Sequence, residues 1–181
     1  MNPVKMLKDD HKKVKKLFRD FERQRRDDSR RRTVETVLAE LAVHTRIEEE
    51  YFYPAVRQAD SQQAQELVEE AEEEHHVVDI LAEEIKRLEP SNPDWEAKFK
   101  VLTENVEHHI EEEEGELFPK ATKLLSTKQL EDLGRQMSAL KAQLTGGRGP
   151  VSEKPAQRPH GASKSAGSRR ARASDAKDPS R

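Results

Sequence analysis

Four stretches of this 181-residue chain place apolar side chains at alternating steps of three and four, and in each a histidine stands on that stripe. The first runs Leu7, His11, Val14, Phe18 and Phe21, and the second Val34, Val37, Leu41, His44, Glu48 and Phe52. The third runs Val68, Ala71, His75, Val78, Ala82 and Ile85, and the fourth Trp95, Phe99, Leu102, Val106, His109, Glu113 and Leu117. Steps of three and four trace one face of an α-helix, so the pattern predicts four amphipathic helices that must bury these faces against one another. Asn2-Pro3 and Asn92-Pro93 read as N-caps with proline at the first helical position. Ser29 reads as a cap for the second helix and Asp60 or Ser61 for the third. Pro54 is expected to end or kink the second helix, and Pro119 to close the fourth. A fifth stripe, Leu130, Leu133, Met137, Leu140 and Leu144, follows a Ser126/Gln129 capping box and stops at Gly146-Gly147. No segment alternates with period two between turns. The expected fold is all-α: an antiparallel up-down-up-down four-helix bundle with an additional C-terminal helix packed outside.

Charge divides the chain into two regions. It carries 33 basic and 36 acidic residues, a net charge of −3. From Gly146 onward there are 9 Lys/Arg and 3 Asp/Glu, so residues 1–145 hold the remaining 24 basic and 33 acidic residues, about −9. Residues 1–145 are expected to form the folded domain, and an acidic domain is not suited to nucleic acid. Residues 146–181 are Gly, Pro, Ser, Ala and basic side chains, too poor in large apolar groups to offset ordering entropy, and are expected to be a disordered basic tail capable of weak polyanion contact. The chain has no cysteine. That excludes disulfides, zinc–thiolate sites, iron–sulfur clusters and a cysteine nucleophile. No apolar leader and no long uncharged run is present, so a soluble cytoplasmic monomer is expected, with no membrane contact.

The histidines carry the chemistry. Helical phase turns His11, His44, His75 and His109 inward, and turns His76 and His108 about 100° away from their stripes. Depth agrees. Counted from the expected loop midpoints, the four inward histidines lie at similar distances along their helices, so their imidazoles converge at one level. Glu48 and Glu113 follow His44 and His109 by one turn on the same face. A buried glutamate is costly unless it is paired or metal-bound. Four imidazoles and two carboxylates suit iron, zinc, copper or manganese and exceed the needs of one tetrahedral zinc, which favours a dinuclear site. Tyr51 and Tyr53 read as packing residues, and Phe52, Leu117 and Phe118 as a seal over the pocket or as ordinary core. Glu49, Glu50, Glu111, Glu112, Glu114 and Glu116 read as solvated faces, with a place behind the ligands as the alternative for Glu49 or Glu114. Glu72-x-x-His75 fits the ferritin-like di-iron pattern once, with no partner on another helix.

The halves repeat. HTRIEEEYFYP at 44–54 and HIEEEEGELFP at 109–119 match as H-x-x-x-E-E-x-x-x-aromatic-P at an offset of 65, and His11 and His75 lie 64 apart. With LKDDHKKVKKLF and EEEHHVVDILAEEI, these segments resemble the hemerythrin family, specifically its bacterial HHE cation-binding branch, over roughly residues 3–145. The resemblance implies His11, His44, His75 and His109 as terminal ligands and Glu48 and Glu113 as bridges of a non-haem centre of two iron ions. It further implies binding of dioxygen or another small diatomic ligand, with uses in sensing, buffering or iron handling; a di-iron oxidoreductase acting on peroxide or oxygen is the alternative. In the oxygen carriers a further histidine follows the third-helix ligand by one turn. Here that position is Asp79, with His76 as a displaced substitute, which counts against reversible oxygen carriage more than against metal binding.

Overall fold

The computed structural model describes residues 2–59 and 61–146. Helix α1 spans Pro3–Arg23, and α2 spans Asp27–Ile47 and continues through a π-helical turn, π1 (Glu48–Phe52), into α3 (Tyr53–Arg57). Helix α4 spans Gln62–Lys86, and α5 spans Pro93–Glu112 and continues through π2 (Glu113–Leu117) into α6 (Phe118–Leu124). Helix α7 spans Thr127–Leu144. These helices form the expected bundle, and α7 lies outside it against α1, α2 and π1. The tail expected over 146–181 falls, beyond Gly146, outside the described residues.

The capping chemistry places most of the helix starts. Asn2, Ser61, Asn92 and Ser126 each accept a backbone N–H of the following turn, and Ser126 and Gln129 complete a reciprocal capping box. Ser29 does not cap α2. That helix begins at Asp27, with Arg26 at the cap and no side-chain bond there, because Asp27 and Asp28 supply the acidic first turn that complements the helix dipole. Thr145 closes α7, and Gly146 adopts the positive φ of 64° that a side chain would disfavour. Leu144, expected on the α7 stripe, is exposed, because that helix packs through Leu133, Gly134 and Met137.

Both prolines re-phase the chain without ending it. A proline ring clashes with the carbonyl four residues earlier. Here the helix widens just before each proline, so that Tyr53 N–H bonds Glu48 O and Phe118 N–H bonds Glu113 O, five residues back. The helices then run on to Arg57 and Leu124, so Pro119 does not close the fourth helix.

The core is split. One apolar cluster holds Leu7, Ile47, Phe52, Val68, Ala71, Leu117 and Phe118 together with Leu133 and Met137 of α7. The other holds Val14, Phe18, Leu41, Val78, Phe99 and Val106 toward the opposite end. Along α1, α2, α4 and α5 with its π2 continuation, the stripe histidine falls between residues of the two clusters, so a thin polar layer is sandwiched between two hydrophobic plugs. Such a layer is isolated from water on both sides, which strengthens every electrostatic interaction within it.

Candidate metal centre

The layer contains His11, His44, His75, His109, Glu48 and Glu113, all buried. His11 Nε2 and His44 Nε2 lie 3.1 Å apart, and His75 Nε2 and His109 Nε2 lie 3.2 Å apart. Each glutamate spans the two imidazole pairs. Glu48 Oε2 is 3.1 Å from His44 Nε2 and 3.5 Å from His75 Nε2. Glu113 Oε2 is 3.3 Å from His11 Nε2 and 3.5 Å from His109 Nε2. The structure therefore brings all six residues to one place, with the carboxylates between the histidine pairs. His76 and Asp79 are not brought there. Both are exposed on α4, because Val78, three residues after His75, takes the inward place in the next turn. His108 is exposed as well.

Behind the ring nitrogens that face inward, each histidine meets a carboxylate. His11 Nδ1 donates to Glu114 Oε1 (2.9 Å), His75 Nδ1 to Glu49 Oε1 (3.1 Å) and His109 Nδ1 to Glu74 Oε2 (2.7 Å). His44 Nδ1 lies 3.7 Å from Asp10 Oδ2, and Asp10 is held from its other side by Lys141 of α7. A carboxylate on Nδ1 fixes the proton there and leaves Nε2 free to face a cation, the arrangement that tunes imidazole ligands. Glu49 and Glu114, which the sequence places first on solvated faces, take the alternative place behind the ligands. Asp10 and Glu74 escaped sequence reasoning, although each directly precedes an inward histidine at equivalent positions of the two halves.

The electrostatics favour a cation. Burial alone would depress the His44 imidazole, but Glu48, Asp10 and Glu113 outweigh it and raise it from 6.5 to about 10. His75 is raised to about 9: Glu48, Glu49 and Glu113 overcome its burial. Burial opposes ionisation of Glu48, yet His44 and His75 hold its carboxyl well below the usual range. Both oxygens of Glu48 and Glu113 Oε2 are nonetheless buried with no hydrogen-bond partner among the described residues. Ligands around an ion with bonds of roughly 2.1 Å stand about 3 Å apart, which is the spacing of these donors. The residues present fit one or two metal ions.

Two further features shape the site. Tyr53, read from the sequence as packing, points its hydroxyl into it, donating to Glu113 Oε1 at 3.0 Å and lying 3.3 Å from His75 Nε2. Burial, then the charges of Glu48 and Glu113, raise the phenol well above its ordinary value, so it keeps its proton. At the equivalent position of the other half stands Phe118, stacked on His11 with ring centroids 5.6 Å apart. On the side away from the glutamates, Val14, Leu41, Val78, Val106 and Ile110 join the histidines around a cavity of about 20 Å³, room for a ligand of one or two atoms.

The family model for the hemerythrin HHE cation-binding domain matches residues 2–121. The chain belongs to that family. An uncharacterised protein of Mycobacterium tuberculosis, Rv2633c, is 31% identical over 148 residues, covering 81% of this chain and 89% of that protein. A protein of Nostoc named as a DNA nickase is 29% identical over 145 residues, and the chain spans only 40% of its length. The crystal structure of an HHE domain-containing homologue of Rv2633c from Mycobacterium kansasii superposes with a TM-score of 0.70 at 28% identity, covering 81% of this chain and 88% of that one. The HHE fold, its cation-binding character and the buried His/Glu clusters of this chain are thus mutually consistent. No described helix is long and apolar enough to cross a membrane.

Proposed function

We propose that this HHE domain holds two iron ions between His11, His44, His75, His109, Glu48 and Glu113, and that it binds dioxygen or nitric oxide beside them for sensing, buffering or iron handling. The observation that carries this is the pair of buried carboxylates, each spanning two imidazole pairs, with both oxygens of Glu48 and Oε2 of Glu113 left without a hydrogen-bond partner among the described residues. Bound iron would supply reversible redox chemistry and open coordination for a small ligand. The protein's part is to fix the imidazoles through their Nδ1 carboxylates, exclude bulk water with its two apolar clusters, and offer a cavity sized for a diatomic molecule. The acidic charge of residues 1–145 supports this assignment over one acting on nucleic acid.

The Tyr53 hydroxyl favours a second reading, an oxidoreductase acting on peroxide or oxygen. A protonated phenol within hydrogen-bond reach of the buried donors can deliver a proton to a bound ligand, which carriage does not require.

Metal analysis after expression in iron-replete medium tests the centre, with about two irons per chain expected. A folded chain free of metal would refute it. His44→Ala and His109→Ala are expected to lose the metal while His76→Ala keeps it. Exposing the reduced, loaded protein to oxygen separates the two uses: an absorption change that reverses on deoxygenation marks binding, and turnover of hydrogen peroxide marks the enzyme.

A further inference from the structure

A second group of metal-binding side chains lies outside the centre, on the seam between α4 and α5. Glu74, His108 and Glu112 offer ligand atoms that all lie within 4.8 Å of one another. His108 Nε2 is 3.2 Å from Glu112 Oε1 and 3.8 Å from Glu74 Oε1 across the seam. Among the described residues no lysine or arginine pairs with Glu74 or Glu112, whose ion-pair partners are His108 and His109.

The group is connected to the interior. A narrow cleft is lined by the half-buried Glu74 and Glu112, by Ala71 and Leu117, and by the buried His109 and Glu113. Glu113 is 1% exposed, and its Oε2 has no hydrogen-bond partner among the described residues. Glu74 touches both histidines, since its Oε2 accepts from His109 Nδ1 while Oε1 faces His108.

The internal repeat supplies a comparison within the molecule. Asp10, Val43 and Ile47 occupy the positions equivalent to Glu74, His108 and Glu112. There α7 covers the seam: Lys141 pairs with Asp10, Ile47 is fully buried, and Val43 packs into the core that α7 completes. The half closed by α7 is neutralised and apolar, and the half left open carries an imidazole and two carboxylates.

We propose that Glu74, His108 and Glu112 form a capture site for a divalent transition-metal cation, and that the ion passes from it along the cleft to Glu113. This rests on the reading of the buried layer as a metal centre. Imidazole with carboxylates suits ferrous, manganous or zinc ions, and a negatively lined cleft concentrates such ions at its mouth. Transfer is ligand exchange alone, from His108 and Glu112 outside to Glu113 inside, with no change of oxidation state.

The test uses the full metal-free chain, with anaerobic ferrous ion as the probe and calorimetry and rapid mixing as readouts. In the double variant His108→Ala/Glu112→Gln, uptake is expected to slow about tenfold while the final number of bound ions in the centre is unchanged. His76→Ala, exposed on α4 and outside the Glu74/His108/Glu112 group, is expected to load at the wild-type rate. Wild-type uptake rates in the double variant would overturn the proposal, and so would a loss of ions from the centre at equilibrium, which would make these side chains part of the centre itself. Should the unmodified chain load no ion in its interior, the metal-centre reading fails. Calorimetry then still decides the capture site: one weakly bound ion lost in the double variant supports it, and no such ion overturns it.

Discussion

Tyr53 and Phe118 occupy equivalent places in the two halves, yet one brings a hydroxyl to the ligand layer and the other a bare ring. The layer is therefore two-fold in its histidines and glutamates but not in its surroundings. Tyr53→Phe removes the donor that satisfies Glu113 Oε1 and leaves a buried carboxylate oxygen unpaired. A hydrogen bond to a charged group contributes roughly 1.5–3 kcal/mol, and the metal-free variant is expected to lose stability of that order in chemical denaturation. The carboxylates behind the histidines act on affinity. Glu49→Gln and Glu114→Gln exchange a charged acceptor for a neutral one at His75 and His11, and each is expected to weaken metal binding about tenfold or more in equilibrium titration. Glu50→Gln, whose carboxylate pairs with Arg46 on the surface, is expected to leave affinity unchanged. At this scale the ligand candidates were legible because a histidine or glutamate on an apolar stripe has few other reasons to be there. Tyr53 was not legible. Nine residues after His44, a regular helix would turn it to the far side, and only the widened turn brings it round.

That widened turn belongs to the elements, and it marks the limit of what spacing conveys. Proline announces a disturbance, and the helix does lose its regular winding just before Pro54 and Pro119, but the closure expected at Pro119 does not occur. Whether the chain stops, kinks or widens depends on what the following residues can bury. Val56 and Ala121 lie in the core, and so do Phe52 and Phe118, so packing carries the helix past each proline. The starts were easier to read, because Asn2, Ser61, Asn92 and Ser126 cap through local bonds. Ser29 does not act as a cap because Asp27 and Asp28, two and one residues before it, already form the helix's acidic first turn. The fifth helix offers the clearest test at this scale. Its N-terminus rests on an exposed capping box, and the helix covers Asp10 and Ile47 beside the ligand layer. Ser126→Ala is expected to destabilise the chain by about 1 kcal/mol in thermal or chemical unfolding, with equilibrium metal content unchanged.

For the molecule as a whole, the buried layer must balance its charge with either protons or metal. Without metal, the negative charges of Glu48 and Glu113 are offset by protonated imidazoles, and this is why His44 rises to about 10 and His75 to about 9. Both values lie above the 6.5 of a free imidazole, so the folded chain binds these protons more tightly than the unfolded chain does. The stability they contribute is complete below pH 6.5 and is lost as pH climbs through 9 and 10. Glu48, lowered in the folded state, contributes in the opposite sense: its share is complete above 4.5 and is lost as pH falls through its depressed value. With respect to these groups, the metal-free chain is most stable between the two reference values, in mildly acidic solution. Metal replaces the imidazole protons, so loading releases protons and becomes more favourable as pH rises. Thermal unfolding of the metal-free chain is therefore expected to shift to lower temperature from about pH 6 to about pH 9.5, while the loaded chain shows no such fall. A metal-free chain equally stable at both ends of that range would mean that the layer does not hold its charge on His44 and His75.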